Sequence, residues 1–136
     1  MGAGVVSRTG ERRVPFEYAL LRAVPRVDRG EYVNVGVIVY CRAHEFVGAR
    51  VHLDPGRLRA LDPGVDLDLV AEALGGVVAV CAGGSVGGHV GRVRPRERFG
   101  WLTAPRSTVV QPGPVHAGLT EDPEAEMTRL LDALVR

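Results

Sequence analysis

Four polar residues around one apolar hairpin carry the most chemistry in this chain: Arg22, Arg26, Glu31 and Asn34. Arg22 interrupts the apolar run from Tyr18 to Val24, where an unpaired buried charge is costly, so it must be paired or open into a cleft. Two readings fit these residue types. One is a structural Arg–Glu pair across the hairpin; the other is a guanidinium that holds an anion or the carboxylate of a partner. Asn34 sits inside the β-branched stretch Glu31 to Cys41, and leaving a buried amide unpaired costs about 1–3 kcal/mol. Satisfying a neighbouring turn is its simplest role, and facing a ligand is the alternative.

Further along, Trp101, Arg106, Ser107 and His116 complete the candidate partner- or anion-binding set. Arg92, Arg94, Arg96, Arg98 and Arg106, interleaved with Phe99 and Trp101, have the composition of a surface that stacks a base and holds phosphates. The plainer reading makes Trp101 a core anchor and leaves the arginines solvated or paired with acidic helix ends. Ser107 with His116 is the one nucleophile–base pairing to weigh. A serine nucleophile needs a sharp turn and oxyanion donors, and no such elbow is visible, so neither residue is assigned a catalytic role. A histidine after Pro112-Gly113-Pro114 reads as a loop residue.

Other motifs are weaker. Gly83 to Gly88 (GGSVGG) lacks the lysine and the flanking elements of a phosphate loop and reads as a surface linker, with His89 inside it. Cys41-x-x-His44 and His52-x-Asp54 are at most partial metal sites, since zinc takes three or four ligands. The residues call for neither a metal nor a cofactor. All 17 basic residues are arginine, which removes Schiff-base, P-loop and kinase-strand lysine chemistry. With a net charge of +1, no global field favours nucleic acid.

These side chains must be positioned by one domain, since 136 residues suffice for a single core without disulfides. Residues 1–13 lack periodicity and read as a tail, leaving 14–136 as the domain. Glu17 to Val24 reads as a strand, Asp28-Arg29-Gly30 as the turn that returns it, and Tyr32 to Cys41 as a central strand apolar on both sides. Simple alternation puts Val33, Val35, Val37, Val39 and Cys41 on one side and Asn34, Gly36, Ile38 and Tyr40 on the other. Gly36 marks a bulge or a close approach to the backbone. Phe46 to Leu53 is a third strand, near an edge.

Asp54-Pro55 and Asp122-Pro123 each start a helix by capping and by placing proline at the first helical position. The first of these stops at Asp62-Pro63-Gly64. The second carries the stripe Met127, Leu130, Leu131 and Leu134. Leu67, Val70, Ala71, Leu74, Val78 and Cys81 mark a helix to about Ala82, with a break at Gly75-Gly76 or a strand from Val77 to Val80 as alternatives. Phe99 and Trp101 are expected on one face of a short extended segment, and Arg106 to Gln111 as a further strand. The fold class is therefore α+β: a mostly antiparallel sheet of four to five strands with helices packed on one face.

The runs YALLRAVPRVDRGEYVNVGVIVYC (18–41), ERFGWL (97–102) and APRSTVVQPGPVH (104–116), with the closing Asp-Pro helix, resemble a bacterial family known only as a domain of unknown function and marked by its Asn-Val-Gly-Val strand. The likeness runs from about residue 16 to the end. It carries over no activity, but it implies a context: members are often encoded beside a kinase similar to the Ser/Thr kinases of persistence-toxin modules. The expectation is a non-catalytic accessory protein, a regulatory or substrate-presenting partner of that kinase. The alternative is an enzyme acting on a phosphorylated or nucleic-acid substrate, with arginine clamps and His116 as acid or base. Two cysteines in apolar runs and the lack of a signal or membrane segment lead us to expect a cytoplasmic protein with no membrane contact, and the resemblance implies a protein partner.

Overall fold

The structure is a computed structural model that describes residues 12–83 and 93–136. Most of the expected tail, the glycine loop from residue 84 with His89, and Arg92 lie outside the described residues.

Strands β1 (Val14–Ala23), β2 (Val33–Cys41) and β3 (Phe46–Val51) form the meander expected from their β-branched runs and turns. Helices α1 (Pro55–Leu61), α2 (Leu67–Ala82) and α3 (Pro95–Thr103) follow, then short strands β4 (Val110–Pro112) and β5 (His116–Thr120), then helix α4 (Pro123–Leu134). All pairing is antiparallel in the order β3-β2-β1-β4, with β5 pairing the first half of β1. The fold class is α+β, and the described residues form a five-stranded sheet with four helices.

One irregularity reorganises the central strand. Leu21 lies opposite Gly36 and Arg22 opposite Asn34, so Val35 is left over as a bulge. An extra residue inverts every side chain beyond it. Val33 and Val35 therefore share a face with Ile38 and Tyr40, while Asn34 joins Val37, Val39 and Cys41 on the other, which corrects the simple alternation. Gly36 serves both purposes expected of it. A Cβ there would stand 2.8 Å from the Arg50 carbonyl oxygen and 3.1 Å from Leu21 and Val51.

The helices do not all lie on one face. Leu58 of α1, Val70 and Leu74 of α2, and Phe99 and Leu102 of α3 pack with Ile38 and Tyr40. Met127, Leu130 and Leu131 of α4 pack with Phe16, Val37, Val39 and Cys41 on the opposite side. A strand apolar on both faces needs cover on both, so the last helix closes the second face.

Asp54, Asp66 and Asp122 each accept from backbone N–H groups in the first turn of α1, α2 and α4, as an N-cap should. Helix α2 runs unbroken through Gly75-Gly76, because Val70, Leu74 and Cys81 hold its inner stripe to the sheet, whereas Ala71 and Val78 face outward. In α4 it is Val135, not Leu134, that closes the buried stripe; Leu134 is exposed.

The segment around Phe99 is helical, not extended. Pro95 occupies the first turn, and the i, i+3 pair Phe99 and Leu102 turns inward, which carries Trp101 to the outside. The strand expected over residues 106–111 shrinks to Val110–Pro112, an edge strand where proline is tolerated. His116 is not a loop residue: it opens β5.

Candidate functional site

Helix α4 packs over β2 and β3. Along β1, on that same face, Tyr18, Leu20 and Arg22 remain half-buried. The bulge in β2 is what aligns Asn34 with Arg22 on this open side.

Among the described residues, Arg22 is held in place without a counter-charge. Its guanidinium carbon sits 4.1 Å from the centroid of the Tyr32 ring, a cation–π contact worth about 0.5–2 kcal/mol. A Cβ on Gly113 would stand 3.1 Å from Arg22 Nε and 3.2 Å from Cζ, so the absence of a side chain there leaves room for the guanidinium. The Gly113 N–H donates to the Leu20 carbonyl at 2.8 Å, which fixes this approach. Among the described residues, Arg22 Nε is buried with no acceptor and Asn34 Oδ1 is buried with no donor. The Asn34 amide nitrogen donates to the Leu134 carbonyl at 3.2 Å, tying the last turn of α4 to the sheet. Two orphaned polar atoms on cross-strand neighbours are uncommon, since buried polar groups are nearly always paired.

The other charges of the hairpin are satisfied. Arg26 donates to Asp28 at 2.7 and 3.3 Å, and Arg29 to Glu31 at 2.8 and 3.1 Å. Hydrogen bonding from these guanidinia holds the carboxyls of Asp28 and Glu31 below their ordinary range. Glu31 therefore pairs within the turn, with Arg29, and a pair between it and Arg22 or Arg26 does not form.

Of the later candidates, His116 lies on the same sheet face, opposite Tyr18, with ring centroids 5.3 Å apart. Trp101 and Arg106 stand apart from it, on and after α3 in the opposite layer. Their side chains stack at 4.8 Å, and Arg106 also donates to the Trp101 and Ala104 carbonyls. Trp101 is exposed, so it is not the core anchor expected; Phe99 is, stacked on Tyr40 at 5.5 Å. Ser107 is exposed in the link before β4, and no hydrogen bond joins it to His116.

The basic run is divided as well. Arg98 donates to the Val80 and Cys81 carbonyls at 3.0 and 2.7 Å, closing the C-terminus of α2, and Arg94 pairs with Glu97 at 3.5 Å. A cleft of about 740 Å³ between the β2–β3 turn and the start of α3 carries Glu17 and Glu45 as well as Arg42 and Arg96, a mixture that favours neither sign. Among the described residues no group of three His, Cys, Asp or Glu side chains is placed to hold a metal, and no helix is long and apolar enough to cross a membrane.

Sequence reasoning missed Tyr18, Tyr32 and Gly113. Tyr32 had a readable signal, lying two residues before Asn34 and thus on its face of the strand. Gly113 had none, because its approach to Arg22 depends on the pairing of β4 with β1.

The described residues make an antiparallel α+β fold in which one strand face is left partly uncovered around a stacked arginine with no counter-charge among them. The chain belongs to a family described as "Protein of unknown function (DUF3037)", whose sequence model matches residues 18–135. Neither a curated protein nor a solved structure matches it.

Proposed function

We propose that this protein is a non-catalytic interaction protein that receives a protein partner on the open face of β1, and that the partner is a Ser/Thr kinase of the persistence-toxin type encoded nearby. The observation that carries this reading is Arg22: a half-buried strand arginine, fixed by Tyr32 and unpaired among the described residues. Arginine and tyrosine are the residues that dominate binding energy where a partner excludes water. Exposed Leu134 and half-buried Leu20 add apolar surface beside them. Both cysteines are free and buried, which accords with action in a reducing cytoplasm.

Binding is favoured over catalysis because Ser107 and His116 share no hydrogen bond and lie on different elements. The test is co-expression of the tagged protein with that kinase, followed by size-exclusion chromatography with light scattering. A stoichiometric complex that survives His116→Ala and Ser107→Ala but weakens with Arg22→Gln is expected. Two separate peaks from the wild-type pair would overturn the kinase partner. Should His116→Ala abolish turnover of a phosphorylated substrate while leaving the fold intact, the reading becomes that of an enzyme with arginine clamps.

A further inference from the structure

We infer that the group recognised at Arg22 is the carboxylate of an aspartate or glutamate side chain in a peptide segment of the partner. This deepens the docking reading above and rests on it.

Charge matching comes first. Arg26 and Arg29, the nearest arginines in sequence, each already hold a carboxylate, so among the described residues of the hairpin Arg22 is the uncompensated positive charge. One guanidinium balances a carboxylate monoanion. A phosphoryl group, carrying about 1.5–2 negative charges at neutral pH, would be left with an excess.

Geometry adds a second reason. The Tyr32 ring and Gly113 fix the orientation of the guanidinium, and a fixed planar fork matches the two oxygens of a carboxylate. Preorganisation of this kind lowers the entropy lost on binding. Across the strand pair the Asn34 oxygen is also without a donor among the described residues, so the unsatisfied arginine does not stand alone at this end of the face. Arg22 stands on an open strand face, so a chain can pass over it, whereas capture of a chain terminus calls for a closed pocket.

The experiment uses a random dodecapeptide phage library selected on the immobilised full chain, with Arg22→Gln and Arg22→Lys in parallel. Thermal unfolding first confirms that both variants are folded. Peptides enriched on the wild type are expected to share one fixed Asp or Glu, and that enrichment should vanish on both variants, since lysine keeps the charge but not the fork. In synthetic copies, replacing the fixed Glu by Gln should weaken binding at least about tenfold on the wild type and hardly at all on Arg22→Gln. Enriched peptides without a fixed acidic position would overturn the carboxylate while leaving the docking face standing. Tighter binding when phosphoserine replaces the Glu would overturn it in favour of a phosphoryl group. Enrichment that persists unchanged on both Arg22 variants would remove both this inference and the docking reading.

Discussion

Arg22 and Asn34 are cross-strand neighbours only because Val35 bulges out of the ladder between them. In an unbroken β2, Arg22 would face Val35, and Asn34 would point into the layer beneath α2 and α3. The bulge places the polar pair on the open side and lets Val35 fill the core. Such bulges re-aim side chains next to functional sites.

Gly36 holds that bulge, so Gly36→Ala should be destabilising. Its new methyl would meet a backbone oxygen at 2.8 Å, which has little freedom to yield. Overpacking of this kind costs about 1–3 kcal/mol. A lower urea midpoint, with an unchanged slope, is the expected result.

Arg98 closes the C-terminus of α2 from the neighbouring helix. Arg98→Met keeps much of the side-chain volume but leaves the Val80 and Cys81 carbonyls without that donor. Loss of hydrogen bonds from a charged group costs about 1.5–3 kcal/mol. Arg96→Met, on an exposed side chain of the same helix, should change stability by less than about 0.5 kcal/mol, which makes it the control in the same unfolding assay.

Asn34→Leu should leave stability within about 1 kcal/mol of the wild type, because it removes an orphaned acceptor along with one modest hydrogen bond. Partner binding should nonetheless fall. A stability loss beyond 3 kcal/mol, measured by denaturant unfolding, would instead make Asn34 a structural residue.

Cys81 is buried, and burial pushes its thiol up to about 12 from an ordinary value of 9.0. The unfolded thiol ionises first, so between pH 9 and 12 the native state binds more protons and stability falls as pH rises. The slope from this group alone is at most about 1.4 kcal/mol per pH unit. Cys81→Ala should flatten that decline in a pH series of unfolding curves. In the native protein at pH 8, a thiol reagent should react with it only at the rate of unfolding.

Trp101 is the single tryptophan and lies on the surface. Its fluorescence in the native state should be quenched by iodide nearly as well as in urea. Trp101→Ala removes a stacked arginine contact and little else, so a stability change below about 1 kcal/mol is expected.

The elements of this fold are not equally legible along the chain. The Asp-Pro helix starts, the Asp28–Gly30 turn and the β-branched meander could be read because capping, turn geometry and χ1 stiffness are local properties of a few consecutive residues. The presence of an arginine and an asparagine in apolar strands was likewise evident, and with it the prospect of a polar site. What the sequence could not decide was relative placement. Which face Asn34 occupies depends on one extra residue in a ladder whose register is set by two strands at once. The helical turn that exposes Trp101 depends on Phe99 and Leu102 finding Tyr40 and the sheet. The close approach of Gly113 to Arg22 joins residues 91 positions apart. These are long-range pairings, chosen by packing that exists only once the chain is folded, and they turn scattered polar residues into one face with Arg22 at its centre.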